Sequence, residues 1–428
     1  MTGEPAGVIT ELTAQRDRRE WANFRKLLLG QSVSQLGIQT TAVVLPLVAV
    51  LQLGASALQV GLITSAEFIA YAVLGLVAGV FVDRWRRRRV MLATDAGRAL
   101  TIAVVPLLWA LGLLRIWHLF VAALLVGFQS LFFDTAQQAY VPVVISREKL
   151  VQGNSQLQAS TSVTQLAGPG VGGLLVQAFG GALALLANSA TYLVSFVSVL
   201  WMHAPAETHT APPPSAGPRR ETIRGQIADG LRYVRSDRVL FSLLLYTGQL
   251  NFLLTAQQAL LVIFLVRDVT APPSLIGFLM ASTGVGAILG AASSRRLAER
   301  FGSARTWVIG AVLGPVLGLL VPFAHLNVTL LFFVVGMAAM GATITIVKVT
   351  GQSYRMAAVP PNLLGRVVAT TRTLTWGPVP LGSVLGGLLG QVLGVRMGLL
   401  VIAVLLVTCP LWLLMTPVLG VRNLEEAT

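Results

Sequence analysis

This sequence is short of charge. Only 11% of its 428 residues are Asp, Glu, Lys or Arg, against about 25% in ordinary soluble domains, so a normal water-facing surface is excluded. Cysteine is nearly absent. Cys409 stands alone inside an apolar run, which rules out an intramolecular disulfide and a cysteine metal cluster. The four histidines, His118, His203, His209 and His325, fall at or beyond the ends of apolar runs, the wrong places for a buried metal site. No Gly-rich loop followed by Lys-Ser/Thr occurs, so ATP is not the direct drive of whatever the chain does. No buried nucleophile and base can be assembled into an active site, so an enzyme is not expected, nor any cofactor or metal.

What remains is apolar. Residues of the set AVILMFWYC make up 55% of the chain and the mean hydropathy is +0.76, more than a globular core of this size could hide, so the lipid bilayer is the solvent. A helix needs about 20 apolar residues to cross the hydrocarbon. Breaks in apolarity divide the chain into twelve such runs: 27–51, 58–81, 90–114, 117–133, 155–178, 182–202, 239–265, 275–293, 306–323, 328–347, 367–391 and 397–418. They are too long and too uniform for strands, and backbone in lipid must satisfy itself as helices or a closed barrel. The fold class predicted is an all-α membrane protein with twelve transmembrane helices.

The formal net charge of +14 would suggest a nucleic acid partner in a soluble protein. Here the positions of the cations matter more. With the N-terminus inside, 25 of the 31 Lys and Arg fall in cytoplasmic segments and only Arg115, Arg267 and Arg396 lie outside. That asymmetry predicts both termini in the cytoplasm of a multi-pass cell (inner) membrane protein and no nucleic acid partner. Residues 1–26 read as a polar cytoplasmic tail rather than a signal peptide, and 419–428 as a second tail. The stretch 203–238, with Ala211-Pro212-Pro213-Pro214 and a short amphipathic segment over Ile223–Val234, reads as a cytoplasmic linker. It separates a six-helix bundle over 27–202 from another over 239–418.

The halves repeat. Gly168-Pro169-Gly170-Val171-Gly172-Gly173-Leu174-Leu175 aligns with Gly382-Ser383-Val384-Leu385-Gly386-Gly387-Leu388-Leu389 at an offset of 214, and Gly79 to Arg84 aligns with Gly290 to Arg295 at 211. Two parallel, pseudo-symmetric bundles are a transporter architecture, with the substrate site between them near the midplane.

At this point the chain resembles the major facilitator superfamily across essentially its whole length. Gly79-Val80-Phe81-Val82-Asp83-Arg84-Trp85-Arg86-Arg87-Arg88 is similar to that superfamily's loop signature between spans two and three, G-x-L-x-D-R-x-G-R-[RK], departing at Phe81 and at Arg86, where glycine is usual. Gly168-Pro169-x-x-Gly172-Gly173 looks like the span-five motif of its antiporters, with Thr164 for the leading glycine. Phe133-Asp134-Thr135-Ala136-Gln137-Gln138-Ala139-Tyr140-Val141-Pro142, followed by Leu150 and Asn154, resembles the branch of siderophore exporters and macrolide-type drug efflux pumps. The resemblance implies the major facilitator fold and transport by alternating access.

The residues themselves suggest roles. Asp83 among five arginines, with Gly79 one turn before it to allow close helix approach, is predicted to gate the cytoplasmic mouth together with Arg84, Arg87 and Arg88. Gly168, Pro169, Gly172 and Gly173 let backbones meet closely and weaken the helix ladder, a candidate hinge. Glu67 is the one acid deep in a span, about nine residues or roughly 14 Å from the outer end. An ionised carboxylate there is costly unless paired, protonated or wet, so it leads the candidates for proton coupling, with Asp95, Arg98 and Asp134 after it. Asp95 and Arg98 can meet on one face as a structural pair. Arg372 could partner one of these acids. Gln35 and Gln39 continue a polar stripe from Gln31 on span one, and Tyr246, Gln249, Asn251 and Phe252 lie on span seven. With Phe68, Tyr71, Phe128, Phe132 and Trp376 they outline a wide, mostly apolar cavity suited to a small amphiphile.

The function this predicts is secondary active export of drugs or amphiphilic natural products by proton antiport, by a monomer whose partners are protons, that amphiphile and the bilayer. The alternatives are a proton-coupled uptake permease of the same fold and a sensor or scaffold that binds without translocating.

Overall fold

The computed structural model describes residues 5–75, 78–202, 223–416 and 422–423, and every regular element among them is helical. Residues 203–222, which include the proline run of the linker, lie outside the described residues.

In the first half, α1 (Pro5–Leu53) is followed by α2 (Ala57–Leu74), α3 (Ala78–Arg84), α4 (Arg87–Ala110), α5 (Ile116–Val144) and α6 (Leu150–Leu200). Helix α2 starts where Ser56 and Gln59 cap each other reciprocally: the Gln59 amide donates to Ser56 Oγ at 3.3 Å and the Ser56 amide donates to Gln59 Oε1 at 2.8 Å. That arrangement satisfies two otherwise orphaned donors at the helix start. Helix α6, at 51 residues, is far longer than one crossing requires. Gly180 divides it with φ 78° and ψ 166°, a backbone conformation only glycine enters without strain, so α6 is two helices joined at a kink, spans five and six.

The second half begins with α7 (Ile223–Ser236), then α8 (Arg238–Arg267), α9 (Pro273–Phe301), α10 (Ser303–Gly318), α11 (Leu330–Ala358), α12 (Pro361–Trp376), α13 (Val379–Leu393) and α14 (Val395–Val407). Asp237 caps α8, accepting from the amides of Val239 at 2.8 Å and Leu240 at 3.0 Å. Two apolar runs read as continuous helices are interrupted. Run 367–391 divides into α12 and α13 at Gly377-Pro378, and run 397–418 passes into a 3-10 turn over Cys409–Met415 that contains Pro410. Proline lacks the amide hydrogen and crowds the preceding turn, which is why both breaks fall beside one. The fourth run reaches Val144, well beyond 133, because Asp134 faces the cavity and Gln137 is buried in protein instead of lying in lipid. Counting the two crossings of α6 and joining α12 to α13 gives twelve spans in two six-helix halves.

The exterior carries exposed Leu107, Trp117, Leu381 and Val392, as lipid contact demands. Lipid tails supply no hydrophobic drive between helices, so close packing of small residues and buried polar contacts must hold the bundle. Gly286 of α9 lies directly against Ala338 of α11, and Thr343 Oγ1 of α11 donates to the Gly310 carbonyl of α10 at 2.6 Å.

The repeat read from the sequence reappears in backbone geometry. Gly394, 214 residues after Gly180, turns span eleven into span twelve with φ 86° and ψ 155°. The face holding both of these turns will be called the loop face, and the opposite one, where α3 meets α4, the terminal face.

Candidate functional site

Between the halves lies a cavity of about 950 Å³. The first half supplies most of its wall. Gln35 and Gln39 come from α1, one turn apart and therefore on one side of the helix. Glu67, Phe68 and Tyr71 come from α2, Ser130 and Asp134 from α5, and Tyr192 from the second arm of α6. The second half closes it with Arg372 and Trp376 of α12 and with Gln258 of α8. Trp376 stands against Phe68 and Tyr71, ring centroids 6.4 and 6.3 Å away, so an aromatic cluster joins the halves across the space.

Charges in the wall fall into two layers. In the open layer, the Glu67 carboxylate makes no hydrogen bond or ion pair among the described residues. Asp134 Oδ2 accepts from the Tyr71 hydroxyl at 2.9 Å. Arg372 is exposed to the cavity and pairs with no acid within ion-pair distance among the described residues, though its charge acts through space on Asp134 and Tyr71. Behind the wall, Asp95 and Arg98 are fully buried. Arg98 Nη2 donates to Asp95 Oδ1 at 2.5 Å, and Ser195 Oγ donates to Asp95 Oδ2 at 2.8 Å. The guanidinium lies between the rings of Phe133 and Tyr192, at 4.2 and 4.8 Å from their centroids. Those ring faces stand in for the hydrogen-bond acceptors that Nε and Nη1 lack. Tyr192 thus has one face on the enclosed pair and also lines the cavity.

Several residues assigned to the cavity from sequence sit elsewhere. Phe128 and Phe132 pack with Tyr71 and Leu74 around Ala70, Ala78 and Leu131, where α5 meets α2 and α3. They occupy the side of α5 away from Gly127, Ser130 and Asp134. Tyr246 is buried within the second half, its ring 6.0 Å from Trp307 and its hydroxyl donating to the Ala311 carbonyl at 3.4 Å. Gln249 bonds Thr408 and Trp412, Asn251 donates to the Thr375 carbonyl at 3.4 Å, and Phe252 packs against the main core. Helix α8 carries polar groups on several sides, and the second half satisfies these internally. Gln258 is the α8 residue that lines the cavity, and nothing in its sequence context sets it apart from the other amides of that helix.

At the terminal face, a side chain built at Gly79 meets nothing within 4 Å, so no close helix approach rests on that glycine here. Its counterpart Gly290 does make one, against Ala342. The side chain of Asp83 lies outside the described residues. Arg84 is exposed and Arg87 half-buried. Arg88 reaches the C-terminal carbonyls of α6, Nε donating to Val199 at 3.2 Å and Nη2 to Leu200 at 2.7 Å, while Lys26 donates to Trp201 at 2.8 Å. Cations at a helix C-terminus satisfy orphaned carbonyls and the end of its dipole.

The glycine motif of span five has two sides. Gly168 and Gly172 pack on α1, against Gln39 and Thr40. Gly173, with the carbonyl of Pro169, packs on Gly277 of α9 in the other half, where a Cβ on Gly173 would stand 2.8 Å from the Gly277 Cα. Helices α2 and α13 repeat this crossing: a Cβ on Gly61 would stand 2.9 Å from the Gly387 Cα. The two crossings are exchanged by the internal repeat, since Gly173 corresponds to Gly387. They hold the halves together toward the loop face, where Arg267 Nη2 also donates to the carbonyls of Gly54 and Ala55 at 3.2 and 2.8 Å. Gly61 and Gly277 were not singled out from sequence. The signal was there in their separation of 216, close to the repeat offset.

Known proteins carry the same pattern. The family pattern of the Major Facilitator Superfamily matches residues 27–374 and 250–427. The MFS-type transporter YfiS of Bacillus subtilis is 28% identical over 401 residues, covering 91% of this chain and 92% of its own. The multidrug efflux pump Tap of Mycolicibacterium fortuitum is 27% identical, covering 81% and 84%. The enterobactin exporter EntS of Escherichia coli O1:K1 / APEC is 28% identical, covering 90% of each. Among solved structures, the nucleoside transporter NupG superposes with a TM-score of 0.74 over 92% of this chain and 98% of its own, at 13% identity, a likeness of fold alone. With twelve spans, two repeated halves and a shared cavity already in place, these matches establish that the chain belongs to the Major Facilitator Superfamily.

Proposed function

We propose that this transporter exports small amphiphiles by proton antiport, with Glu67 as the principal proton site. The observation that carries the reading is the Glu67 carboxylate itself. It lies in mid-span, faces the cavity, and is committed to no partner among the described residues. A carboxylate at that depth is expensive to keep without a function. The efflux roles named for Tap and EntS support the outward direction. The cavity volume, about 950 Å³, falls within the range of about 300–1,000 Å³ common for drug-sized ligands.

In this reading the terminal face is cytoplasmic, by the distribution of Lys and Arg. The described conformation then faces inward, its halves closed over the loop face. Substrate enters from the cytoplasm or inner leaflet and binds while Glu67 is deprotonated. The halves rock on the Gly173–Gly277 and Gly61–Gly387 crossings, and a proton taken from outside displaces the substrate and resets the cycle. Asp134, held by Tyr71 and acted on by Arg98 and Arg372, is a second acid in the cavity wall. The Asp95–Arg98 pair fixes the position of Tyr192 in the wall instead of exchanging protons, because it has no opening to water. Arg84, Arg87 and Arg88 with Asp83 steady the terminal face.

The test is accumulation of a panel of fluorescent drugs and siderophores in inverted membrane vesicles, with and without an imposed pH gradient. The expected result is accumulation that appears with an acid-inside gradient and collapses when an ionophore dissipates it. Accumulation indifferent to the gradient would overturn proton antiport.

A further inference from the structure

The cavity presents uncommitted charges of opposite sign on opposite walls. Glu67 belongs to the first half and Arg372 to the second, and neither side chain forms an ion pair or hydrogen bond among the described residues. The third open charge, Asp134, is already engaged by Tyr71. Arg98, which also acts on Asp134, is committed to Asp95 behind the wall. The rings of Phe68, Tyr71 and Trp376 line the same cavity and cluster across it from the two halves. We propose, building on the antiport reading above, that the substrate is a zwitterionic amphiphile whose cationic end pairs with Glu67, whose acidic end pairs with Arg372, and whose flat apolar body lies against the aromatic cluster.

The sign of the coupling argues for this class over simpler ones. A plain anion is drawn to Arg372 but repelled by ionised Glu67 and Asp134. It binds best when those acids hold protons, and would therefore travel with protons, against the direction antiport requires. A plain cation competes correctly with the proton at Glu67 but leaves Arg372 opposing it in a poorly screened space. A molecule with both charges satisfies both walls and still competes with the proton at Glu67. Because the walls belong to different halves, it also bridges them, giving a ligand contact that draws the halves together.

Rhodamine B and its ethyl ester make a matched pair of probes: both share the cationic xanthylium body, and only the former has a free carboxylate. Their binding to the full-length protein in lipid nanodiscs can be followed by fluorescence anisotropy. Wild type should bind rhodamine B more tightly than the ester. Arg372→Gln should weaken rhodamine B by about ten-fold, the factor expected on losing one charged hydrogen-bonding partner, while the ester is held or tightened, because the opposing positive charge is gone. Retained ester binding also shows the variant is folded, and Arg372→Lys should keep most of the preference. Equal loss of both dyes, no loss of either, or a wild-type preference for the ester would overturn the zwitterion assignment and leave antiport standing. Binding of neither dye by wild type would instead remove the amphiphile cavity on which both proposals rest.

Discussion

Two acids of the first half show how surroundings divide labour among like residues. Asp95 is fully buried, bonded by Arg98 and Ser195, and shut behind Tyr192. Glu67 stands on the cavity wall with no partner among the described residues. In the antiport reading, only the second trades a proton with water and a counter-charge with a ligand. Glu67→Gln is therefore expected to abolish uphill efflux in vesicles while leaving downhill exchange of substrate only partly intact. Full gradient-driven efflux by that variant would place the coupling site elsewhere. Glu67 was legible in the sequence because it is the one deep acid in its span, and depth can be counted along a helix. Arg372 was legible as a charge but not as a cavity residue, since the facing acid comes from another half of the chain. Tyr246 and Gln249 misled for the same reason: composition shows that a helix has polar groups, but not which side they occupy once neighbours choose its rotation.

At the scale of elements, glycine decides where helices from different halves touch. A side chain at Gly61 would collide with the backbone of Ser383 and Gly387, and one at Gly277 with the backbone of Pro169 and Gly173. Backbone cannot swing aside as a side-chain tip can, so a larger residue must separate the helices. Gly277→Leu and Gly61→Leu should each open the loop face, and an electron-spin distance between labels at exposed Leu51 and Leu393 should lengthen in both. An unchanged distance distribution with a folded variant would contradict the crossing as the contact on which the halves move. The span-five glycines could be picked out by their clustering. Their partners do not cluster: Gly61 stands alone in α2 and Gly277 lies well before the other glycines of α9, so only their separation of 216, close to the repeat offset, marks them. The breaks at Gly377-Pro378 and Pro410 were likewise visible as residues, yet an apolar run shows no lapse in hydropathy where its helix stops.

For the molecule as a whole, the twelve apolar runs, the two halves and the shared cavity follow from what a bilayer permits, so these features were readable in advance. Length per crossing and internal repetition carry that information without tertiary detail. The conformation was not readable, because inward and outward forms obey the same hydropathy. The central claim is that a cationic ligand and a proton compete for one carboxylate, and this can be measured without transport. The ethyl ester of rhodamine B, added to purified protein in weakly buffered detergent solution over a series of starting pH values, should release protons into the medium. The yield should approach about one proton per bound ligand where Glu67 begins protonated, falling away where it begins ionised. Glu67→Gln should release none. Proton uptake on binding, or undiminished release from the Gln variant, would contradict the account.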